Sequence, residues 1–441
     1  MPPRHVQLVI NGEKRRSSSG ENFSTYHPAT GDHIGVVESA SSNDIQRAID
    51  AASAAFPAWE DTLASNKRRI LNKAADLLES EKYIHAFSES VPSEIGSVSF
   101  GGIIEAHVAA SQLREVSAQA AQIFGETFPS GRIPGAQVLA IAPWNSPVNL
   151  AARAVAMPLI CGNTVILRSS EAGLPKGVVN LIHIAPERNP ELVPEIIANP
   201  AIKHINQTKG TPTYPQPDGY QFTGGDRVGR IIAGEAGKNL KPVVLELGGK
   251  AASVVLDDAN IKLAARGIIS GAMLNSGQIC MSSERIIVQR GAADELISEL
   301  TTLAKKLKAG PNGTDANLAG VCNSTSAERI VNLLKDAKEK GAEIVLGDLT
   351  HEGPFIQPHI VLGYTPEMQA WQQETFGPVF GITVCDTVDE AINLANATDY
   401  TLTSALWTSS ISGLRLASRI RAGKPGPLSW DWQQVLITFI H

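Results

Sequence analysis

A cysteine and a glutamate are the residues best suited to covalent chemistry. Cys280 lies in the segment NSGQIC, at the end of a helical stretch and before the predicted strand ERIIV. Glu246 lies in VVLELGGK, where an apolar run ends and two glycines follow. A thiolate is a nucleophile, and a carboxylate at a strand end can act as a general base. Taken singly, the thiol is more often a buried structural residue, and the carboxylate is more often exposed or paired.

Both residues would need neighbours that stabilise the charged states of a reaction. An isolated thiol, with a pKa of about 8.5, is thiolate to only a few per cent at neutral pH, so a catalytic thiol needs local activation. Asn145 follows another apolar run in the segment APWNSP. Its side-chain N–H is able to stabilise a developing oxyanion. The structural alternative for Asn145 is a turn or cap residue.

Two further segments are typical of ligand-binding loops. Gly224, Gly225 and Gly229 lie in FTGGDRVGR, at the start of a helix that follows an apolar strand. A helix N-terminus suits a dinucleotide diphosphate, although the spacing differs from the GxGxxG fingerprint. Glu374 and Phe376 lie in ETFGPVF, before another strand, where the alternative is a loop with a buried aromatic anchor.

The elements that must position these residues follow an α/β pattern. Helical periodicity covers 43–124, and from residue 137 onward short apolar runs alternate with helical stretches, which predicts βαβ units and a parallel sheet. The second half repeats the alternation and predicts a second α/β domain. Its helices are expected near 261–274, 293–308, 326–340 and 387–397, and its strands near 284–289, 343–346, 379–384 and 402–407.

Composition excludes several classes of protein. The 441 residues are too many for one core, and 43% hydrophobic with 19% charged residues is ordinary globular usage. A net charge of −6 without a basic block argues against nucleic-acid binding. No signal-like or membrane-length apolar stretch is present, so we expect a cytoplasmic protein. The four cysteines are scattered singly, which argues against a disulfide framework and against a metal site.

Taken together and in order, six motifs resemble the aldehyde dehydrogenase superfamily. They are APWN, CGNTVIL, FTG with a following VGR, LELGGK, GQIC and ETFGPVF. Within it, AMPLICGNTVIL and GQICMSSERIIV are most similar to the salicylaldehyde, vanillin and benzaldehyde dehydrogenase branch. The resemblance implies a Rossmann-type NAD-binding domain at 1–246, with 43–124 as its helical N-terminal layer. It also implies an α/β catalytic domain at 247–423.

The same resemblance implies a reaction and its residues. Cys280 would attack an aldehyde, an aromatic one by likeness to that branch, and Asn145 with the Cys280 N–H would hold the oxyanion. Glu246 would activate the water that hydrolyses the resulting thioester. The cofactor would be held by the glycine segment with Trp144, by Glu374 at the nicotinamide ribose and by Phe376 near the nicotinamide.

The adenine ribose would meet Arg168 and Glu171 of ILRSSE, where the family usually has a KPSE-like segment. Glu171 would repel a 2′-phosphate and favours NAD, whereas Arg168 is able to accommodate NADP. Gly225 stands where the family has a serine, which removes one hydrogen bond to the diphosphate.

Four departures from the family pattern affect these expectations. The crossover helix is expected to be missing near 171–173, and a Pro- and Gly-rich insertion is expected at 207–221. The hairpin before the APWN strand is short, and 424–441 is an aberrant tail. The family's homo-oligomerisation platform is therefore expected to be incomplete. Together the departures resemble errors in placing exon boundaries.

Two other functions remain open on the sequence. One is a catalytically impaired relative that keeps Cys280 and Glu246 but no longer binds a cofactor. The other is a CoA-acylating semialdehyde dehydrogenase, in which the thioester passes to CoA. Because CoA-dependent members commonly lack the base, Glu246 favours hydrolysis.

Overall fold

The computed structural model describes residues 4–98, 100–121, 137–167, 174–202, 220–311, 314–422, 425–427 and 437–439. The chain divides into two compact units. The first consists of 1–27, 31–94 and 99–247, and the second consists of 28–30, 95–98 and 248–441.

The first unit carries two small sheets and one larger parallel sheet with their helices. Its strands are β1 (Arg4–Val6), β2 (Leu8–Ile10), β3 (Glu13–Arg15), β4 (Asn22–Tyr26), β5 (His33–Glu38), β6 (Gln137–Ile141), β7 (Thr164–Ile166), β8 (Val179–Asn180), β9 (Tyr220–Thr223) and β10 (Val243–Glu246). Its helices are α1 (Ser42–Glu60), α2 (Ala64–Leu78), α3 (Glu81–Ile95), α4 (Gly101–Ala118), α5 (Pro147–Ile160), α6 (Asn189–Ala198) and α7 (Asp226–Lys238).

The helices of this unit begin and pack as their sequences indicate. Helix α1 starts with a capping box between Ser41 and Asp44, and its buried face meets the apolar side chains of β6 and β7. Helix α4 packs between α2 and α5 through a second apolar cluster that includes Leu71, Leu113 and Leu159. Within the predicted helical layer at 43–124, the described residues form four consecutive α-helices, α1 to α4.

The larger sheet has the strand order β10-β9-β6-β7-β8, and each neighbouring pair is parallel. Ile141 of β6 pairs with Phe222 of β9, and Thr223 pairs with Glu246 of β10. The carboxyl ends of these three strands therefore meet at one edge, which is where open parallel sheets place ligands.

The three predicted departures within this unit lie largely outside the described residues. Strand β7 runs parallel to β8, and the described part of their connection, 174–178, contains no helix. Positions 168–173, including the predicted helix deletion, are outside the described residues, as are 122–136 with the short hairpin. The predicted insertion also lies outside them, except for the first two residues of β9.

The second unit is built on one large mixed sheet. Its elements are β11 (Ala251–Val255), α8 (Ile261–Met273), β12 (Ser283–Gln289), α9 (Arg290–Ala304), α10 (Ser324–Glu339), β13 (Glu343–Leu346), β14 (His359–Leu362), α11 (Gln369–Gln372), β15 (Val379–Cys385), α12 (Val388–Ala395), β16 (Ser404–Trp407), α13 (Gly413–Ala417), β17 (Pro425–Pro427) and β18 (Ile437–Phe439). The strand order is β13-β14-β15-β12-β11-β16-β18-β17.

Helices cover both faces of the parallel centre of this sheet. Ile286 and Val288 of β12 join the apolar cluster of α8 and α9, whereas Ile287, between them, joins the cluster of α12 and α13. Because successive strand residues point to opposite faces, the apolar residues 286–288 are buried on both faces of the sheet, and β12 is buried over 284–288.

The helices and strands predicted in the second half are confirmed to within a few residues. The elements that the sequence pattern did not predict are short. They include the two strands of the tail, β17 and β18, which pair antiparallel at the β16 edge, and the N-terminal strands β1–β5. Runs of three to six residues carry too little periodicity to be recognised.

Candidate active site

Glu246 is the last residue of β10, at the sheet edge of the first unit. Its carboxylate lies 3.8 Å from Nη2 of Arg153 on α5. The same Nη2 donates a hydrogen bond of 3.2 Å to Oγ1 of Thr223, the register partner of Glu246 on β9. The Glu246 side chain is 19% exposed, so the carboxylate is partly shielded while remaining open to water.

Asn145 lies in the short loop between β6 and α5, and its side chain is buried. The helix that follows begins without a hydrogen bond from its own N-cap side chain, Ser146. Glu105 of α4 supplies the acceptor, because its carboxylate accepts the N–H groups of Val148 at 2.9 Å and Asn149 at 3.0 Å. Burial raises the pKa of Glu105. The loop carrying Asn145 is therefore held through its helix by a partly buried carboxyl group.

The glycine segment forms the turn from β9 into α7. Gly224 donates its N–H to the carbonyl of Glu246, and Gly225 is the N-cap of α7 with no side-chain cap. The first amides of such a helix are available to an anion. Gly229 packs so closely that a Cβ atom there would lie 2.5 Å from Cδ2 of Leu247. This cradle fits a diphosphate, although Asp226 in the first turn adds a negative charge.

Cys280 lies in the loop before β12 of the second unit, with its side chain half-buried. Three successive residues upstream, Asn275, Ser276 and Gly277, have left-handed φ angles of 49°, 56° and 74°. Ser276 Oγ donates to the carbonyl of Ala319 at 2.8 Å, which anchors this turn to a segment far along the chain. The position of the thiol is thereby set by a constrained backbone.

Gly249 passes directly against the Cys280 backbone. A Cβ atom at Gly249 would lie 1.9 Å from the Cys280 carbonyl oxygen, a distance that no side chain tolerates. The glycine of the LELGGK segment is therefore required by close approach of two chains.

Glu374 contacts the same glycine. Its Oε1 accepts the N–H of Gly249 at 2.9 Å. Burial of the carboxyl group, together with the negative charge of Glu284, raises the pKa of Glu374 to about 7. The group therefore changes charge near neutral pH.

A buried ion pair holds the loop that carries Glu374 and Phe376. The Glu284 carboxylate forms an ion pair with Lys250, both side chains being almost completely buried. It also accepts the N–H groups of Thr375 at 2.8 Å and Phe376 at 3.1 Å. Phe376 itself has a left-handed φ of 53°, which such contacts help to maintain.

The predicted site residues fall into two groups. Asn145, Glu246 and the glycines Gly224 and Gly225 gather at the sheet edge of the first unit, with exposed Trp144 beside Asn145. Cys280, Glu374 and Phe376 belong to the second unit, where Gly249 contacts both Cys280 and Glu374. Arg168 and Glu171 lie outside the described residues.

Sequence reasoning missed three residues that hold this machinery, which are Arg153, Glu105 and Glu284. Arg153 is a lone charge in the otherwise apolar helical stretch PVNLAARAVAMPLI. Glu105 is a lone charge in the helical stretch GGIIEAHVAA. A lone charge of that kind signals a specific buried partner. Glu284 similarly is a charged residue at the start of the strand segment ERIIV, which continues into three apolar residues.

Two negative findings concern the described residues alone. None of the helices found there has the length and apolarity needed to cross a bilayer. Nor do any three His, Cys, Asp or Glu side chains in that part gather as metal ligands.

Comparison with known proteins identifies the family. Residues 15–426 match the aldehyde dehydrogenase family. A vanillin dehydrogenase of Pseudomonas sp. (strain HR199 / DSM 7063) is 38% identical over 95% of this chain and 88% of its own length. A salicylaldehyde dehydrogenase of Pseudomonas putida G7, solved with salicylaldehyde, has a TM-score of 0.86 and 34% identity, covering 95% of this chain and 88% of that one.

A third comparison extends this likeness beyond the aromatic branch. An NAD-dependent aldehyde dehydrogenase of Sinorhizobium meliloti has a TM-score of 0.85 and 28% identity, covering 96% of this chain and 86% of that one. These similarities confirm the predicted α/β fold and the predicted branch. The chain belongs to the aldehyde dehydrogenase family.

Proposed function

We propose that this chain oxidises an aromatic aldehyde to the carboxylic acid with NAD, through a thioester on Cys280. The observation that carries the proposal is the half-buried Cys280 thiol, which follows the left-handed turn at 275–277 and whose own backbone carbonyl packs on Gly249. The aromatic substrate class is supported by the 38% identity with a vanillin dehydrogenase. Residues 1–246 would form the cofactor domain and residues 247–423 the catalytic domain.

The reaction would proceed in two halves. In the first, the Cys280 thiolate attacks the aldehyde carbon, and the new oxyanion accepts hydrogen bonds from the Asn145 side chain and the Cys280 backbone N–H. Loss of hydride leaves a thioester. In the second half, Glu246 takes a proton from water, which attacks the thioester carbon, and the C–S bond breaks to release the carboxylic acid and the thiolate.

The nicotinamide cofactor, when bound, supplies the acceptor for that hydride. The turn at Gly224 and Gly225 and the first amides of α7 fit its diphosphate. Glu374 would hold the nicotinamide ribose, with Phe376 near the nicotinamide; Trp144 and Gly229 would line the site. Arg168 and Glu171 would flank the adenine ribose, where Glu171 favours NAD and Arg168 is able to accommodate NADP.

The primary test is NADH production from a panel of aromatic and aliphatic aldehydes. We expect turnover with aromatic aldehydes and none in Cys280→Ala. Cys322→Ala is the matched control, because Cys322 is also a half-buried thiol, placed against Ser326 Oγ at 3.1 Å. Steady NADH turnover that persists in Cys280→Ala would refute the assignment.

Glu246→Gln tests the second half-reaction. Without the base, the thioester should accumulate, so rapid mixing should show one burst of NADH per site followed by slow turnover. Transfer to CoA in place of water would instead make turnover depend on added CoA and leave Glu246→Gln unimpaired.

The rival function is a relative that no longer binds cofactor. Calorimetric titration with NAD and with NADP separates the two, since the rival gives no heat of binding with either nucleotide. A tighter Kd for NAD than for NADP would support the role of Glu171.

A further inference from the structure

We infer that Arg153 is a positioning residue that holds the Glu246 carboxylate for attack of water on the thioester. The inference rests on the proposed function and deepens it by assigning a second residue to the hydrolytic half-reaction. It stands on the contact of Arg153 with the ends of two neighbouring strands.

The guanidinium bridges β9 and β10 at their carboxyl ends. Nη2 donates to Thr223 Oγ1 at 3.2 Å and lies 3.8 Å from Oε2 of Glu246. Thr223 and Glu246 are register partners, so one nitrogen contacts both strand ends from α5. These two contacts of one nitrogen restrict the position of the Glu246 carboxylate at the carboxyl ends of the strands.

The separation of 3.8 Å between Nη2 and the Glu246 oxygen matters chemically. It is too long for a hydrogen bond, so the guanidinium attracts the carboxylate without occupying its lone pairs. Those lone pairs stay able to accept a proton from water. An arginine that donated directly to both oxygens would compete with that water instead.

Two further observations separate Arg153 from an ordinary surface ion pair. Its side chain is 29% exposed, and its Nε is buried without a hydrogen-bond partner among the described residues. A buried donor left unsatisfied costs stability, and such groups in native proteins often mark functional sites. The rest of the α5 sequence offers no other charge for this position.

A purely structural role makes a different kinetic prediction. If Arg153 only braced α5 against the sheet, its loss would impair both half-reactions and thermal stability together. If it positions Glu246, its loss slows hydrolysis of the thioester while acylation of Cys280 and the hydride step persist. The two half-reactions therefore have to be measured separately.

The experiment is rapid mixing of Arg153→Met with an aromatic aldehyde and NAD. We expect a burst of about one NADH per site, followed by a steady rate reduced at least about tenfold. Arg153→Lys, which keeps the charge, should recover much of the steady rate. Arg47→Met, an exposed arginine on α1, is the matched control and should retain the wild-type rate.

The same variants are tested with 4-nitrophenyl acetate without cofactor. Attack by the Cys280 thiolate releases 4-nitrophenolate and forms an acetyl thioester, which water then hydrolyses to acetate with Glu246 as base. Arg153→Met should show a burst of 4-nitrophenolate and a slow steady phase. Because this reaction needs no NAD, it tests Arg153 even if the protein fails to bind cofactor.

Two outcomes for Arg153→Met contradict the inference. An undiminished steady rate in Arg153→Met, or a burst lost in parallel with the steady rate, would show that Arg153 does not act on hydrolysis. If Arg153→Met does not fold, Arg153→Gln decides, since positioning requires a preserved burst with a lowered steady rate in a variant that lacks the charge. A wild-type protein that turns over the ester but produces no NADH would overturn the dehydrogenase function alone, and one inactive in both assays would overturn both proposals.

Discussion

The Oε1 atom of Glu374 accepts a hydrogen bond of 2.9 Å from the backbone N–H of Gly249. The same glycine packs against the carbonyl of Cys280. One residue without a side chain therefore contacts both the carboxylate proposed for the ribose and the backbone of the proposed nucleophile. Three segments that lie far apart along the sequence are coupled at this point.

Gly249→Ala should abolish activity and destabilise the second unit. A Cβ atom would lie 1.9 Å from the Cys280 carbonyl oxygen, so the two segments must separate. Overpacking of this kind costs about 1–3 kcal/mol or more. The measurements are the thermal midpoint and the amplitude of the NADH burst.

The matched control for this substitution is Gly234→Ala on α7. Outside the neighbouring backbone of α7, no atom of the described residues lies within 4 Å of a Cβ atom built at that glycine, so alanine should stabilise the helix by about 1 kcal/mol. A Gly249→Ala protein with the wild-type thermal midpoint and burst would contradict the close contact.

Glu374→Gln should change stability in a pH-dependent direction. The folded pKa of about 7 lies above the ordinary value of 4.5, so the folded chain binds more protons than the unfolded chain between those values. The contribution of the Glu374 carboxyl group to the stability of the wild-type protein is therefore lost as the pH rises through that interval. Glutamine keeps an oxygen for the Gly249 N–H but cannot ionise.

We expect the thermal midpoint of Glu374→Gln, relative to wild type, to rise between pH 5 and pH 8, as the shift to about 7 implies. Glu328→Gln, an exposed carboxylate on α10, controls for the loss of one negative charge. A difference between Glu374→Gln and wild type that stays constant over this range would argue against the raised pKa.

Lys250→Met should be strongly destabilising. It leaves the Glu284 carboxylate, which is 2% exposed, without its ammonium partner. Removing one member of a buried pair costs about 3–5 kcal/mol. Chemical denaturation followed by fluorescence measures the loss.

Adding Glu284→Gln to Lys250→Met should recover part of this loss, because no buried charge then remains unpaired. If Glu284→Gln lowered the stability of the Lys250→Met protein as much as it lowers that of the wild type, the two effects would be additive. The unpaired Glu284 charge would then not be the source of the stability lost in Lys250→Met.

Glu105→Ala should lower both stability and turnover. Two amides of α5 lose their acceptor, at a cost of about 1–2 kcal/mol. Asn145 lies just before this helix, so kcat for the proposed oxidation should fall by about tenfold with a smaller change in KM. Thermal melts and steady-state kinetics measure the two effects.

Glu115→Ala on the same helix is the control, since that residue is exposed and should change stability by less than about 0.5 kcal/mol. Turnover in Glu105→Ala equal to that of Glu115→Ala would mean that the cap does not position Asn145.

Several residues at the carboxyl ends of the first unit's parallel strands were predictable from the sequence. Asn145 follows an apolar run, and Glu246 ends one. Because parallel strands bring their carboxyl ends to one edge of the sheet, the two residues are expected at the same edge. The register of β9 and β10 agrees with this expectation. Apolar periodicity and strand ends are local properties, which is why a single sequence reports them.

The supporting residues were not predictable in the same way. Arg153 meets Glu246 across 93 positions of sequence, and Glu105 reaches Asn149 across 44. Such contacts depend on how elements pack, which periodicity does not encode. The left-handed conformation of Ser276 is similarly set by its bond to Ala319, because serine has no local preference for it.

The turn of Asn275, Ser276 and Gly277 also bears on the order of folding. Its strained backbone is stabilised by the carbonyls of Ala319 and Gly320, which accept from Ser276 Oγ and from the Gln278 side chain. These partners are contributed by chain that is synthesised later and has to dock first. We therefore expect Cys280 to acquire its native geometry late, so that a partly folded chain carries an ordinary, poorly reactive thiol.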